Sequence, residues 1–181
     1  SVCGWIKIPG GQVAKRWFAE RNISSVNPQF LIGSGITNYE NKIRIFINND
    51  AGTILLAKNS TTTACNDTWH HFCWVDNNGD ADLYIDGVLD TTNFNYTRSG
   101  TFTFNTTSIG ASRSPTLDFL VKGQLFDFRC YSRCLSTNEI TEIYHRRGAD
   151  KVWQGLVGWW RMDEMPGGQL TQLPYTMTSN N

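Results

Sequence analysis

The chain has 181 residues, 16 basic against 16 acidic side chains, and 13% aromatic residues. At this length one domain is the economical reading, burying about 70% of the surface that the unfolded chain exposes. Zero formal charge with no Lys/Arg cluster argues against nucleic acid or an anionic membrane as the main partner, and no apolar run approaches the roughly 20 residues of a membrane-spanning helix.

Ser1 follows neither an initiating Met nor a leader, the pattern of a mature or excised form. Residues 2–8 alternate loosely and read as a strand ended by Pro9-Gly10-Gly11. A second strand at 14–21 holds Trp17 and Phe18 between charged residues, and 30–33 is a short third. After the polar loop Asn38-Tyr39-Glu40-Asn41, residues 42–48 alternate clearly, with Ile43, Ile45 and Ile47 on one face against Arg44 and Phe46. Asn49-Asp50-Ala51-Gly52 turns the chain into a strand at 53–58, followed by a Ser/Thr/Asn loop at 59–66.

Residues 67–89 carry the strongest local signal. Asn78-Gly79 suits a two-residue type I′ turn, because both central residues need positive φ. That turn sets Trp74 against Leu83 and Phe72 against Ile85, so Phe72, Trp74, Ala81, Leu83 and Ile85 share an apolar face. On the other face His71 stands opposite Asp86, as a structural cross-strand pair, and Cys73 opposite Tyr84. Asp86-Gly87 then returns the chain for a third strand.

Residues 102–104 and 108–111 read as short strands, with 113–118 a loop around Pro115. In the strand at 123–131, Phe126, Phe128 and Cys130 share one face, and Leu125, Asp127, Arg129 and Tyr131 the other. A helix follows: Ser136 is its N-cap, Glu139 completes a capping box, Leu135 and Ile140 form the staple, and Gly148 supplies the stop. Ile140, Ile143 and Tyr144 make its apolar stripe. Arg146 and Arg147 suit the negative end of its dipole. Residues 155–164 read as a strand closed by Pro166-Gly167-Gly168, before a polar tail. Strands recurring roughly every 8–12 residues indicate an all-β fold: an antiparallel β-sandwich of jelly-roll type with one short helix near residues 136–147.

Five cysteines leave at least one unpaired. Cys3, Cys73 and Cys130 sit among apolar neighbours and read as small hydrophobes, with a Cys3–Cys130 disulfide left open. Cys130 and Cys134 lack the partners of a zinc site. Asn-x-Ser/Thr sequons stand at Asn22, Asn59, Asn66, Asn95 and Asn105, in a chain rich enough in Asn and Thr for chance to supply them.

Trp69-His70-His71, Leu83-Tyr84-Ile85-Asp86-Gly87, Ser108-Ile109-Gly110 and Gly123 to Ser136, continuing to Glu139-Ile140, form an ordered series. It resembles the laminin-G-like branch of the concanavalin-A-like lectin/glucanase superfamily, over roughly residues 2–145. Many members of that family carry an Asp where this chain has Phe126. Residues 155–164 resemble the segment that usually opens such a domain, yet here they close the chain. The expected organisation is a single sandwich over 1–181 with a C-terminal extension at 149–181. Its edge-strand candidate at 155–164 serves either this chain or a neighbouring copy.

Catalysis is not expected. The Glu-x-Asp-x-x-Glu arrangement of the glucanases is missing, and Asp163 and Glu164 point to opposite faces as neighbours in a strand. His70 and His71 also diverge, so no metal is assigned. Asp76, Asn78 and Asp80 read as turn chemistry, since the Gly and bidentate Glu of a calcium loop are missing. No cofactor is expected, and a calcium ion at the sandwich rim stays open without a motif. The resemblance implies a non-catalytic, surface-displayed, extracellular module that binds a glycan or protein surface, with no nucleic acid and no membrane insertion. Tyr39, Arg113 and Asp118 are ligand candidates because they lie in polar connections, and Trp17 and Trp153 as aromatic platforms. The alternative is a self-assembling structural component, such as a virion decoration or fibre subunit, that pairs with copies of itself through residues 155–181.

Overall fold

A computed structural model describes residues 1–162. In chain order the strands are β1 (Val2–Lys7), β2 (Arg16–Arg21), β3 (Gln29–Ser34), β4 (Lys42–Asn48), β5 (Ile54–Thr63), β6 (Trp69–Asn77), β7 (Asp80–Ile85), β8 (Val88–Leu89), β9 (Thr106–Ile109), β10 (Ser112–Arg113), β11 (Leu117–Asp118) and β12 (Gln124–Tyr131). Helix α1 (Thr137–Arg146) and strand β13 (Leu156–Trp160) follow. Six strands form one sheet in the order β13-β12-β1-β6-β7-β8, five form the other as β5-β4-β3-β2-β9, and β10-β11 is a separate small hairpin. All pairings are antiparallel, and the two large sheets face each other as a sandwich. Asp163, Glu164 and the Pro166-Gly167-Gly168 closure lie outside the described residues.

The expected meander is present. Asn78 and Gly79 have φ of 56° and 103°, and Trp74 pairs with Leu83 and Phe72 with Ile85. Asp86 and Gly87 make the next turn, also at positive φ. Inward residues of both sheets, among them Phe18, Ile32, Ile43, Ile45, Phe72, Trp74, Leu83 and Phe128, form the main core. A second core lies on the outer face of the six-stranded sheet, where α1 lays Ile140 and Ile143 over Cys3, Cys73, Tyr84 and Tyr131. Ser136 and Glu139 make the reciprocal capping box that anchors this helix. The αL residue at its end is Arg147 (φ 48°), one position before the glycine expected to stop it.

Several local expectations change. β5 runs through Thr63 into the segment read as a loop, because Ser60 Oγ accepts the Ile43 N–H and Asp90 accepts those of Thr61 and Thr62. Residues 102–104 are irregular rather than a strand, since Asp50 takes the Thr103 N–H and the Thr101 hydroxyl. The loop at 113–118 contains all of the β10–β11 hairpin except Ser112. In β12 a register shift opposite Cys3–Trp5, with Asp127 at φ 53°, breaks the alternation. Leu125 therefore joins Phe128 and Cys130 against the main core, in place of Phe126. Asp86 pairs not with the His71 ring but with His70 Nδ1 (2.7 Å) and the His71 backbone N–H (2.8 Å). All five cysteines are free thiols.

Arg129 sits on the helix-covered face with no exposed surface. Its guanidinium forks onto Asp127 (2.9 and 2.9 Å) and Asp150 (2.7 and 2.8 Å). Trp159 Nε1 donates to Asp127, and the Trp159 ring lies beside the guanidinium. Removing Asp150 leaves two buried guanidinium N–H groups without acceptors, while Asp127 still balances the charge, a loss that typically costs about 1–3 kcal/mol. Asp150→Ala should lower the urea-unfolding free energy by that order; an unchanged midpoint would show that the pair contributes nothing.

His71 is fully buried between the rings of Trp5 and Tyr144, with centroids at 5.3 and 6.2 Å, and neither ring nitrogen has a partner among the described residues. Burial pushes its pKa down to about 3, against a smaller opposing pull from Asp86. Below the ordinary imidazole pKa of about 6.5 the unfolded chain binds a proton that the folded chain refuses. Stability should thus fall as pH drops from about 6.5 toward 3, by about 1.4 kcal/mol per pH unit from this residue. Urea midpoints at pH 7 and 4.5 should differ less in His71→Phe than in the parent chain; equal differences would remove His71 from the acid response.

Candidate functional site

The outer face of the five-stranded sheet differs from the helix-covered face opposite. Register places Arg16 beside Gly33, Gly33 beside Arg44, and Arg44 beside Asn59, a single row across β2, β3, β4 and β5. The next row is apolar: Ala19, Leu31, Phe46 and Ala57. Beyond it lie Arg21, Gln29 and Asn48. These residues face outward because their neighbours Phe18, Ile32, Ile43, Ile45 and Ile47 fill the main core. A register shift between Arg16 and Phe18 lets Arg16 face out while Trp17 and Phe18 both pack inward.

Gly33 matters to this row through its missing side chain. A Cβ there would lie 1.9 Å from the Lys15 carbonyl oxygen and 2.9 Å from Arg16 Cδ, so the Arg16 stem crosses the sheet where a side chain would stand. Arg16 Nη1 donates to the carbonyls of Lys15 (3.0 Å) and Ser34 (3.1 Å). Arg44 Nη1 donates to Asn59 Oδ1 at 3.2 Å, and Arg21 uses Nη1 and Nη2 on Ser112 Oγ and the Val26 carbonyl. Among the described residues none of the three makes an ion pair. Burial, with Arg44 and Arg21 nearby, pushes Arg16 down to about 10. Burial also lowers Arg44 and Arg21, with Asp118 opposing it at Arg21.

The β10–β11 hairpin walls one side of this face. Ser112 lies under it, fully buried, with its hydroxyl on Arg21; Arg113 N–H donates to Ser108 Oγ, and Arg113 itself is exposed. Phe119 stands against the Arg16 guanidinium (5.6 Å) with φ 55°, a backbone region that costs a residue of this type about 1–3 kcal/mol. Thus Asp118 bears on Arg21, and Arg113 lies exposed on the hairpin. Tyr39 is half exposed in the β3–β4 turn, which begins just after the Ser34 carbonyl that holds Arg16. Trp17 is fully buried in the main core and offers no ring face to a ligand. Trp153 is exposed but packs edge-on against Trp159 on the far side of the sandwich. Arg16, Arg21, Arg44 and Phe46 were not singled out from sequence, although the alternation in residues 42–48 already turns Arg44 and Phe46 away from the isoleucines.

A concavity of about 290 Å³ opens where the sheets part at one rim. Glu20, Phe30, Asp76, Tyr96, Arg98, Phe102 and Phe104 line it. Burial raises the Glu20 carboxyl above its ordinary value. Asp76 accepts from Tyr96 Oη (2.7 Å) and the Gly79 N–H (2.8 Å). Among the described residues no three His, Cys, Asp or Glu side chains are grouped to hold a metal ion, and no helix is long and apolar enough to cross a membrane.

A laminin G family model, described as the concanavalin A-like lectin/glucanases superfamily, matches residues 1–141. No curated protein sequence matches the chain. Among solved structures it is similar to a heptameric SAP-like pentraxin from Limulus polyphemus (TM-score 0.58, 15% identity, 79% of this chain and 68% of that one). It is similar to the CBM40 of Ruminococcus gnavus IT-sialidase (TM-score 0.62, 12% identity, 79% and 80%), also solved with α2,3- and α2,6-sialyllactose. Trypanosoma rangeli sialidase, solved with 2,3-difluorosialic acid, is a third (TM-score 0.61, 13% identity, 81% of this chain but 22% of that one). At such identities the likeness establishes the fold.

The close approach at Gly33 is open to direct test. Gly33→Ala should force the Lys15 backbone and Arg16 apart and cost about 1–3 kcal/mol, read as a lower melting temperature. A melting temperature equal to the parent's would show that the row has slack at this point.

Proposed function

The chain belongs to the concanavalin A-like lectin/glucanases superfamily, and from that premise we propose a non-catalytic carbohydrate-binding module that engages glycans through the outer face of its five-stranded sheet. One observation carries this reading. Phe46, half-buried, and the exposed Ala57 end an apolar row flanked on both sides by rows of hydrogen-bonding groups, with the β10–β11 hairpin as a wall. A sugar ring offers an apolar carbon face and an equatorial belt of hydroxyls, and such a floor meets both. Neighbours of the same fold that are solved with sialyllactose lend support. Hydrolysis draws none here, because among the described residues this face shows no paired carboxylates of the kind glycosidic cleavage needs. Asp118 is the carboxylate that bears on its arginines. Assembly through residues 155–181 has less support, since Leu156–Trp160 already pair with β12 of the same chain.

A glycan array with the parent chain, Phe46→Ala and Phe104→Ala tests the reading. Phe46→Ala should weaken binding about tenfold while leaving the melting temperature within a few degrees, as loss of a ring–sugar contact worth about 1.5 kcal/mol implies. Phe104→Ala, in the rim cleft, should bind as the parent does. A silent array, or binding lost in Phe104→Ala and kept in Phe46→Ala, overturns the proposal. Any glycoside cleaved during the assay overturns its non-catalytic part.

A further inference from the structure

Three arginines are drawn together on this face without the counter-charge that their burial calls for. Arg16 and Arg21 are 7% and 5% exposed, and the Nε of each has no hydrogen-bond partner among the described residues. The carboxylate that bears on the group is Asp118, acting on Arg21. Elsewhere the same protein treats a buried arginine differently: Arg129 has five hydrogen bonds, four of them to two carboxylates. Leaving a buried charged donor unmatched costs stability, so its persistence points to a partner from outside the chain.

The donors left over define that partner. Both protein bonds of Arg16 leave from Nη1 and its Nε is enclosed, so Nη2 is the uncommitted nitrogen. Its N–H groups suit a charge-assisted bond to a carboxylate oxygen. Arg44, half-buried, spends Nη1 on Asn59 and faces Arg16 across Gly33, over which the Arg16 stem crosses. The apolar row through Phe46 lies two residues along the strands from this pair, about 7 Å by strand rise.

We propose that the glycan is acidic: a sugar carboxylate lies on Arg16 and Arg44 across Gly33, and the ring's carbon face lies toward Phe46. The assignment rests on the glycan-binding reading of this face and adds the chemical class of ligand. Arg21, beyond the apolar row, is a positioning residue for the hairpin through Ser112.

The test compares matched acids and neutral esters by isothermal titration of the full chain. The probes are 3′-sialyllactose and trigalacturonic acid, the methyl ester of each, lactose, and a sulfated heparin disaccharide. At least one free acid should bind about tenfold or more tightly than its methyl ester, the scale of one charge-assisted hydrogen bond. Arg44→Gln should abolish that preference without lowering the melting temperature. Arg16→Lys, which keeps the charge and loses the Nη2 donor, should reduce it. Acid and ester binding equally well, or an acid preference that survives Arg44→Gln, overturns the proposal. Tighter binding of the sulfated disaccharide overturns the carboxylate assignment. Neutral glycans bound in a Phe46-dependent way with no acid preference would sink this inference and leave the glycan-binding face standing; a chain that binds no glycan sinks both.

Discussion

Arg129 carries a full positive charge into a region with no exposed surface, and the chain on either side of α1 is arranged around it. Asp127 reaches it because the bulge in β12 turns that residue at φ 53°, and Asp150 reaches it from the segment after the helix. Tyr131, whose hydroxyl also holds the Val152 carbonyl, and Trp159, which donates to Asp127, complete the enclosure. Two carboxylates around one guanidinium leave few donors without a bond, the condition under which a buried ion pair is tolerable. The geometry ties β12, the post-helix segment and β13 to one point. It thereby fixes the lid under which Cys3, Cys73, Ile140 and Ile143 form the second core.

The two outer faces solve different problems with the same residue type. On the six-stranded sheet a buried arginine is neutralised from within, a helix covers the face, and the site is closed. On the five-stranded sheet Arg16, Arg21 and Arg44 make no ion pair among the described residues, and the covering element is a hairpin of two residue pairs. Antiparallel sheets tolerate either a covered or a solvated outer face, so the closure of one here is a choice of this chain. The charges of the two faces distinguish them more clearly than their shape does.

Local chemistry was legible in the residues. Asn78-Gly79 announces its turn because few other residues accept positive φ in succession, and Ser136 with Glu139 announces the helix start because the cap is contained in four residues. The irregularities were not. A bulge costs only one residue and leaves no compositional mark, yet the one in β12 exchanges Phe126 for Leu125 in the core, and the one in β2 sends Trp17 inward beside Phe18. That second shift explains one failure at the site: Trp17 reads as a platform and is core. Arg16 and Arg44 become neighbours only through two strand pairings with Gly33, which no spacing in the sequence encodes. The residues Arg113 and Asp118 stood out for their polar setting, and the fold puts both on the β10–β11 hairpin, with Asp118 bearing on Arg21.

The position of β1 has a consequence for how the molecule can be made. It is a central strand, flanked by β6 on one edge and β12 on the other. A chain leaving the ribosome N-terminus first can pair β1 with β6 once residue 77 is clear. Its second edge cannot be filled until Tyr131 has emerged. Throughout that interval the middle of the future sheet is an open edge, the kind of surface that recruits strands from other chains. For the growing polypeptide, the centre of this sheet is completed only after β6, β7 and β8 have emerged.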